Sequence, residues 1–325
     1  MAKTIHLLPE KFEFVAESGE SILRAALRAG QNVNHGCING SCGRCLVRLR
    51  RGEVNRLRPH DFIISEADKA SGGILMCSNS PISDIEIEAD TAHRGDDIPL
   101  QKLTVKVRRC EQVDDNTLIL RLRTQRTKLL RFMAGQHATL LLKGGLQREL
   151  PIASCPCDGL NLEFHLHKEA SDSFTNYIFS QLKTNEKLVI HGPSGNFTLE
   201  TTDPAPVLFI AWGTGFAPIH SLIENCLSLE LSQPIIFYWI VHEQEVHYAD
   251  GYCRAVNDAI DNFTYQPLLT ETAAEAIAEI VQQQPNLSGW RAYIAAPPAI
   301  IDNTIEALSK CALDPKKIKS DSVVA

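Results

Sequence analysis

The sequence predicts a multidomain chain of three units in series: a small α+β unit, an antiparallel β-barrel, and an α/β unit with a parallel sheet. Three observations carry this. At 325 residues the chain is too long for one ordinary core and suits two or three domains of about 100 residues. Four cysteines fall within the first 77 residues, and the other six are scattered. After Pro206 the pattern changes from short alternating strands to apolar strands separated by helical stretches. The expected boundaries are 1–92, 100–200 and 201–325.

An apolar fraction of 44% and a charged fraction of 22% belong to an ordinary globular chain. The net charge of −7 argues against nucleic acid as a partner. No apolar run approaches the roughly 20 residues of a membrane-spanning helix. The start, Met1-Ala-Lys-Thr-Ile-His, lacks a basic segment leading into an apolar one, so a cytoplasmic location is expected.

The first unit opens with a hairpin pattern. A short helix follows around Ser21–Ala29, which Ser18 or Ser21 can cap. It closes on the alternating segment Ile82–Glu88, where Ile85 and Ile87 share a face. Residues 91–99 are polar, carry Gly and Pro, and read as a linker. From Lys102 to about Leu199, strands punctuated by glycine suggest the barrel. Val207–Ala211, Ile235–Val241 and Ala292–Ala295 are the expected parallel strands.

Cys37-Ile-Asn-Gly-Ser-Cys42-Gly-Arg-Cys45 is C-x4-C-x2-C, and Cys77 supplies a fourth thiol. This spacing is that of plant-type 2Fe–2S ligation. Two sulfide-bridged irons need four thiolates on a tightly curved backbone, with amides turned toward the sulfurs. Gly36, Gly40 and Gly43 offer the permissive dihedrals, and Ser41 is small. A zinc site is the bland alternative, but zinc usually pairs two short C-x2–4-C knuckles. Here three cysteines share one loop.

With Gly52-Glu-Val54 and the strand after Cys77, residues 1–92 resemble the plant-type ferredoxin domain of bacterial oxygenase reductases, which implies a β-grasp fold. Three later segments resemble the ferredoxin–NAD(P)H reductase superfamily: Phe132-Met-Ala-Gly-Gln136, Arg148-Glu-Leu-Pro-Ile-Ala-Ser154 and His191-Gly-Pro-Ser-Gly-Asn-Phe197. The resemblance implies a flavin barrel with FAD held at Arg148, Leu150, Pro151, Ile152, Ala153, Ser154, Phe174, Thr175, Gly192 and Gly195. In that reading Arg148 meets the pyrophosphate through paired hydrogen bonds. The helix opening at Ser173-Phe174-Thr175 adds N-terminal amides and a hydroxyl. Leu150 and Pro151 stand where the family has Tyr and Ser.

Val207 to Pro218 reads as strand, glycine turn and helix start. Gly213-Thr214-Gly215 can face a dinucleotide pyrophosphate at the helix N-terminus, although a lone G-x-G also makes an ordinary tight turn. The family's G-G-T-G-x-x-P has Trp212 in place of its first glycine. Ala295-Ala296-Pro297-Pro298 lies where the family has C-G-P-P, and the terminal aromatic is missing. The resemblance implies a Rossmann-like nicotinamide unit. Glu243 and Glu245, with no Arg or Lys after the second strand, predict NADH in preference to NADPH. Cys155 and Cys157 read as inert thiols rather than a redox pair, and His165 and His167, on one strand face, as polar outward residues of the barrel rather than ligands.

A nicotinamide gives two electrons as a hydride and a 2Fe–2S centre takes one, and a flavin joins the two. The implied activity is an NAD(P)H-dependent reductase passing electrons through flavin and cluster to a protein acceptor, an oxygenase or other redox component. Six arginines (44, 48, 50, 51, 56, 58) start inside the cysteine loop, and Arg48 and Arg50 are candidates to steer that acceptor. Solvated surface is the plain alternative. Three other readings stay open: a flavin reductase, the reductase of a deoxysugar dehydratase, and a non-catalytic electron-relay or assembly subunit with a degenerate flavin and nicotinamide site.

Overall fold

A computed structural model describes residues 2–125, 127–201 and 204–323. In the N-terminal region β1 (Lys3–Leu8), β2 (Phe12–Ala16), β3 (Leu46–Arg51), β5 (Gly73–Leu75) and β7 (Ile85–Glu88) form one mixed sheet in the order β2-β1-β7-β3-β5. The short strands β4 (Val54–Arg56) and β6 (Asn79–Pro81) pair beside it. Helix α1 (Ile22–Arg28) crosses the sheet and buries Ile22, Leu23, Ala25 and Ala26. Ser21 caps it, its hydroxyl accepting the Arg24 amide at 3.3 Å, which leaves one fewer orphan donor in the first turn. Helix α2 (Glu66–Ala70) is capped by Ser65. β7 is shorter than the alternating segment suggests, and Ile82 is 52% exposed in the preceding turn. Ile85 and Ile87 do share the buried face.

The second region is a six-stranded antiparallel sheet curled into a barrel. Its strands are β8 (Gln101–Gln112), β9 (Thr117–Arg123), β10 (His137–Leu141), β11 (Gln147–Pro151), β12 (Asn161–His167) and β13 (Lys187–Ser194). Their order is β11-β10-β13-β8-β9-β12. The period of two drives it: Leu103, Val105 and Val107 of β8 and Leu162, Phe164 and Leu166 of β12 point into one core. Helix α3 (Ser173–Ser180) plugs that core with Phe174 and Ile178.

The C-terminal region has five parallel strands in the order β16-β15-β14-β17-β18. They are β14 (Val207–Trp212), β15 (Ile235–His242), β16 (Phe263–Thr270), β17 (Arg291–Ala296) and β18 (Ile318–Ser322), alternating with α4 (Phe216–Ser228), α5 (Asp250–Ala259), α6 (Ala273–Gln283) and α7 (Pro298–Lys310). Buried clusters lie on both faces of the sheet, as near-continuous apolar strands require. Strand order reverses at β14, so the turn after it sits at the switch point where such sheets bind ligands.

The expected linker is packed rather than free. Thr91 bridges to Val33, Ala92 and Ile98 join Met133 in a small apolar cluster, and Gln136 donates to the Gly95 carbonyl at 3.3 Å. Burying those apolar side chains between the two sheets removes the freedom that polar composition suggested. Arg131 ties the same regions together, donating to Asn34 Oδ1 at 3.1 Å and to the Asn32 carbonyl at 2.7 Å.

Candidate functional site

The cysteine loop is shaped by its glycines. Gly40 and Gly43 have φ of +82° and +72°, which a side chain rarely adopts. A Cβ on Gly43 would also lie 2.3 Å from Phe62, and one on Gly40 would lie 2.4 Å from His60. Gly36 has no positive φ and serves only close packing beside Arg44. The curvature brings the thiols into two close pairs. The Cys42 amide donates to Cys37 Sγ and the Cys37 amide to Cys42 Sγ, each at 3.3 Å. Cys77 falls to about 6, first through its hydrogen bond with Cys45, with Ser78 and Arg58 adding and burial opposing. Cys45 is pushed up by the same shared hydrogen bond. Burial raises Cys37, but bonds from Cys42, Ser41 and backbone amides outweigh it and leave it at about 7. Cys37, Cys45 and Cys77 are buried and Cys42 is exposed. Four convergent thiols, amides aimed at sulfur and one exposed edge fit a 2Fe–2S cluster.

A cleft of about 410 Å³ opens between the barrel and the C-terminal sheet, within the size range of cofactor sites. It gathers Arg148, Leu150, Pro151, Thr175, Gly195 and Thr214, six of the residues singled out from sequence. Four others take packing positions: Ile152, Ala153 and Phe174 are buried, and a Cβ on Gly192 would meet Ala138 at 3.0 Å. Ser154 faces a second cavity behind the strand.

Acids hold the polar end of the cleft. Arg148 reaches Glu169 at 3.0 Å and Asp172 at 2.9 Å and lies over the Phe174 ring at 5.5 Å. Asp172 caps α3, accepting the amides of Phe174 at 3.3 Å and Thr175 at 2.7 Å. Thr175 Oγ1 donates within the same turn, to the carbonyls of Glu169 and Asp172. The donors expected to face a pyrophosphate are assembled, and the chain's own carboxylates share them. The cleft fits a flavin in volume, in its apolar wall and in the presence of Arg148.

The C-terminal residues meet the same cleft. Gly213 has φ of +53°, and a Cβ on Gly215 would sit 2.2 Å from the Ala295 carbonyl and 3.2 Å from Val323. Gly215, in the turn with Gly213 and Thr214, is thereby packed onto Ala295, which Ala296 follows, with Pro297 opening α7. Asp321, Ser322 and Val323 line the cleft, and Val323 occupies the stretch where an aromatic was missed. His137, on β10 opposite Pro151, reaches Asp321 at 3.1 Å. Sequence reasoning did not find His137, Glu169 or Asp172, because only the fold brings them to Arg148 and Val323.

Two expectations are corrected. His165 is not an outward solvated residue: it is 4% exposed, because the outer face of β12 is covered by Phe216 and Tyr248 of the C-terminal region. Cys155 and Cys157 are not free thiols but form a disulfide, since Pro156 turns the chain so that the two side chains face each other. His220 nearby is lowered to about 4, chiefly by burial and then by His165. Glu163 is held at about 2: burial raises it, but hydrogen bonding to His165 and the charges of His165 and Arg121 win.

Comparison with known proteins agrees with this geometry. Residues 5–81 match the 2Fe-2S iron-sulfur cluster binding domain, and residues 104–199 match the oxidoreductase FAD-binding domain. The CDP-6-deoxy-L-threo-D-glycero-4-hexulose-3-dehydrase reductase of Yersinia pseudotuberculosis is 30% identical, covering 100% of this chain and 99% of that one. The reductase component of propane 2-monooxygenase from Gordonia is 27% identical over 90% of this chain and 89% of its own. Among solved structures, the Amycolatopsis cytochrome P450 reductase GcoB superposes with a TM-score of 0.65 at 25% identity, covering 98% of each chain. Among the described residues no helix is long and apolar enough to cross a membrane. The chain belongs to the iron–sulfur flavoprotein reductases of the ferredoxin–NAD(P)H reductase type, which carry electrons from NAD(P)H through FAD to a 2Fe–2S cluster.

Proposed function

We propose that this reductase oxidises NADH and delivers electrons singly, from the edge of the cluster loop at Cys42, to a separate redox protein. The observation that carries this is the asymmetry of the four thiols, three buried and Cys42 exposed, on a loop seated against the flavin barrel through Leu129 and Gly36. Residues 1–92, 100–200 and 201–325 act as the cluster, flavin and nicotinamide units. Flavin supplies the exchange between two-electron and one-electron chemistry. Arg148 orients its phosphate end, Leu150 and Pro151 wall its ring, and Val323 with Asp321 closes the cleft against water. The turn from Gly213 to Gly215 presents backbone amides to the dinucleotide, beside Ala295, Ala296 and Pro297. Glu243 and Glu245 are exposed after β15 and disfavour a 2′-phosphate. Steady-state reduction of a one-electron acceptor such as cytochrome c should favour NADH over NADPH by at least about tenfold, roughly 1.4 kcal/mol. Equal efficiency would refute the NADH assignment.

An oxygenase component fits as acceptor because several relatives are named as oxygenase reductases. The dehydrase reductase, matched along nearly its whole length, favours a deoxysugar dehydratase as the second reading. Chemistry on this surface points to an acidic docking face. Lys102 and Lys106 lie exposed along the outer side of β8, starting at the cavity that holds Cys37 and Cys42. Arg123 and Lys187 pair across from Lys106, and Arg44 and Lys128 flank the loop. By contrast, Arg50 is ion-paired with Glu88. Exposed charges are screened over about 10 Å at 0.1 M salt. Lys102→Glu with Lys106→Glu should therefore slow delivery to the acceptor most at low salt and leave flavin reduction by NADH unchanged. Identical rates across a salt series would remove the barrel from the docking face.

A further inference from the structure

Beside the flavin cleft, whose wall His165 also lines, the barrel and the C-terminal sheet meet in a cluster of polar side chains that reaches a second cavity. Glu163 and His165 stand two residues apart on β12. Their neighbours Leu162, Phe164 and Leu166 fill the barrel core, so Glu163 and His165 share the outer face. Facing them is His220, one turn into α4. One donor atom from each of the three residues lies within 4.8 Å of the other two. We propose that Glu163, His165 and His220 form a binding site for a divalent transition-metal ion, zinc by its donor chemistry, which joins the barrel to the nicotinamide unit.

The spacing is compatible with an ion. Two ligands at zinc bonding distance in a tetrahedral site are about 3.3 Å apart. His165 Nε2 and Glu163 Oε1 are 2.9 Å apart, with a single proton between them that an ion would replace. The third donor, on His220, lies within 4.8 Å of both. Two imidazoles and one carboxylate suit zinc and its neighbours rather than magnesium or calcium, which prefer all-oxygen sets.

The surroundings are those of a metal site as well. Tyr248 lies 2.9 Å from His165 Nδ1 and fixes the ring. Arg121 holds the other carboxylate oxygen of Glu163 at 2.7 Å, and its charge is shared with Glu111 at 2.6 Å. That leaves Oε1 directed at the histidines. His220 Nδ1 is buried beside the Ala153 carbonyl, with no well-formed hydrogen bond among the described residues. A cavity of about 590 Å³ reaches Glu163, His220 and Glu224 from solvent. It gives the ion a path in and leaves one coordination position for water. Glu224, 3.7 Å from His220 Nε2 and bonded to Tyr252, adds negative charge at the mouth. A self-contained hydrogen-bonded network is the competing account, and zinc binding separates the two.

The test uses the full chain with flavin and cluster loaded, so that the four cluster thiolates are occupied. After dialysis against a chelator, titration with zinc alone should show one ion bound per chain and a raised melting temperature. His220→Gln and Glu163→Gln should each weaken zinc binding by at least about tenfold, and Tyr248→Phe by about tenfold, as loss of an outer-shell partner does. Iron and flavin content of each variant reports whether it is folded, and Glu163→Gln stands in should His220→Gln fail to hold them. Absence of zinc binding by the wild type overturns the site, as does undiminished binding by the variants. Neither result bears on electron transfer, so failure here leaves the reductase reading intact.

Discussion

The cluster loop and the flavin cleft are built in opposite ways. The loop carries three of its four ligands within nine residues, and the positive φ of its glycines shapes the curvature that gathers them. The cleft is assembled from β10, β11, β12, the N-terminus of α3, the turn after β14 and the end of β18. Its polar end is already occupied by Asp172 and Glu169. A self-contained loop therefore commits to its cofactor, whereas an assembled cleft can be tuned by residues that never appear in a motif.

Removing a loop ligand should give the largest effect. Cys42→Ser is expected to lose or labilise the cluster, because a hydroxyl is a harder and less readily ionised ligand, and to abolish cytochrome c reduction. Flavin content should persist, since its residues lie in a separately cored region. Iron and sulfide analysis checks this, and wild-type iron with an unaltered spectrum would contradict the ligand assignment.

The cleft should respond by degrees. Leu150 covers the flavin ring without aromatic stacking, worth about 0.5–1.5 kcal/mol beyond burial, and Pro151 lacks a hydrogen bond worth about 1 kcal/mol. Leu150→Tyr with Pro151→Ser should tighten flavin binding roughly tenfold or more. No change in a flavin titration would show that another contact already compensates.

Asp172→Ser probes the acids instead. Serine keeps the cap on α3 while removing a carboxylate that competes with phosphate for Arg148 and two amides. Flavin affinity should rise several-fold, less than for the ring pair because Glu169 still holds Arg148. Weaker binding would mean that Asp172 positions Arg148 for the cofactor rather than competing with it.

The same contrast explains how much could be read from the sequence. The C-x4-C-x2-C spacing, the strand patterns of β14, β15 and β17 and the Ser21 cap are local signals, and all are found in place. Arg148, Thr175 and Gly195, singled out through motif likeness, line the cleft. Their partners were not singled out: Asp172 reads as a plain helix cap, and Asp321 meets His137 only because β18 pairs with β17. His165 looked outward-facing because alternation reports the face of a strand and not what covers that face. Pro156 closes the Cys155–Cys157 disulfide through turn geometry that composition does not reveal.

The most direct test of the account is anaerobic titration of the flavin- and iron-loaded protein with NADH, followed in the visible spectrum. Bleaching of both the flavin and the cluster bands is expected, with Cys42→Ser bleaching at the flavin alone. A cluster spectrum unchanged by excess NADH would contradict the account and support a relay or assembly subunit that nicotinamide does not reduce.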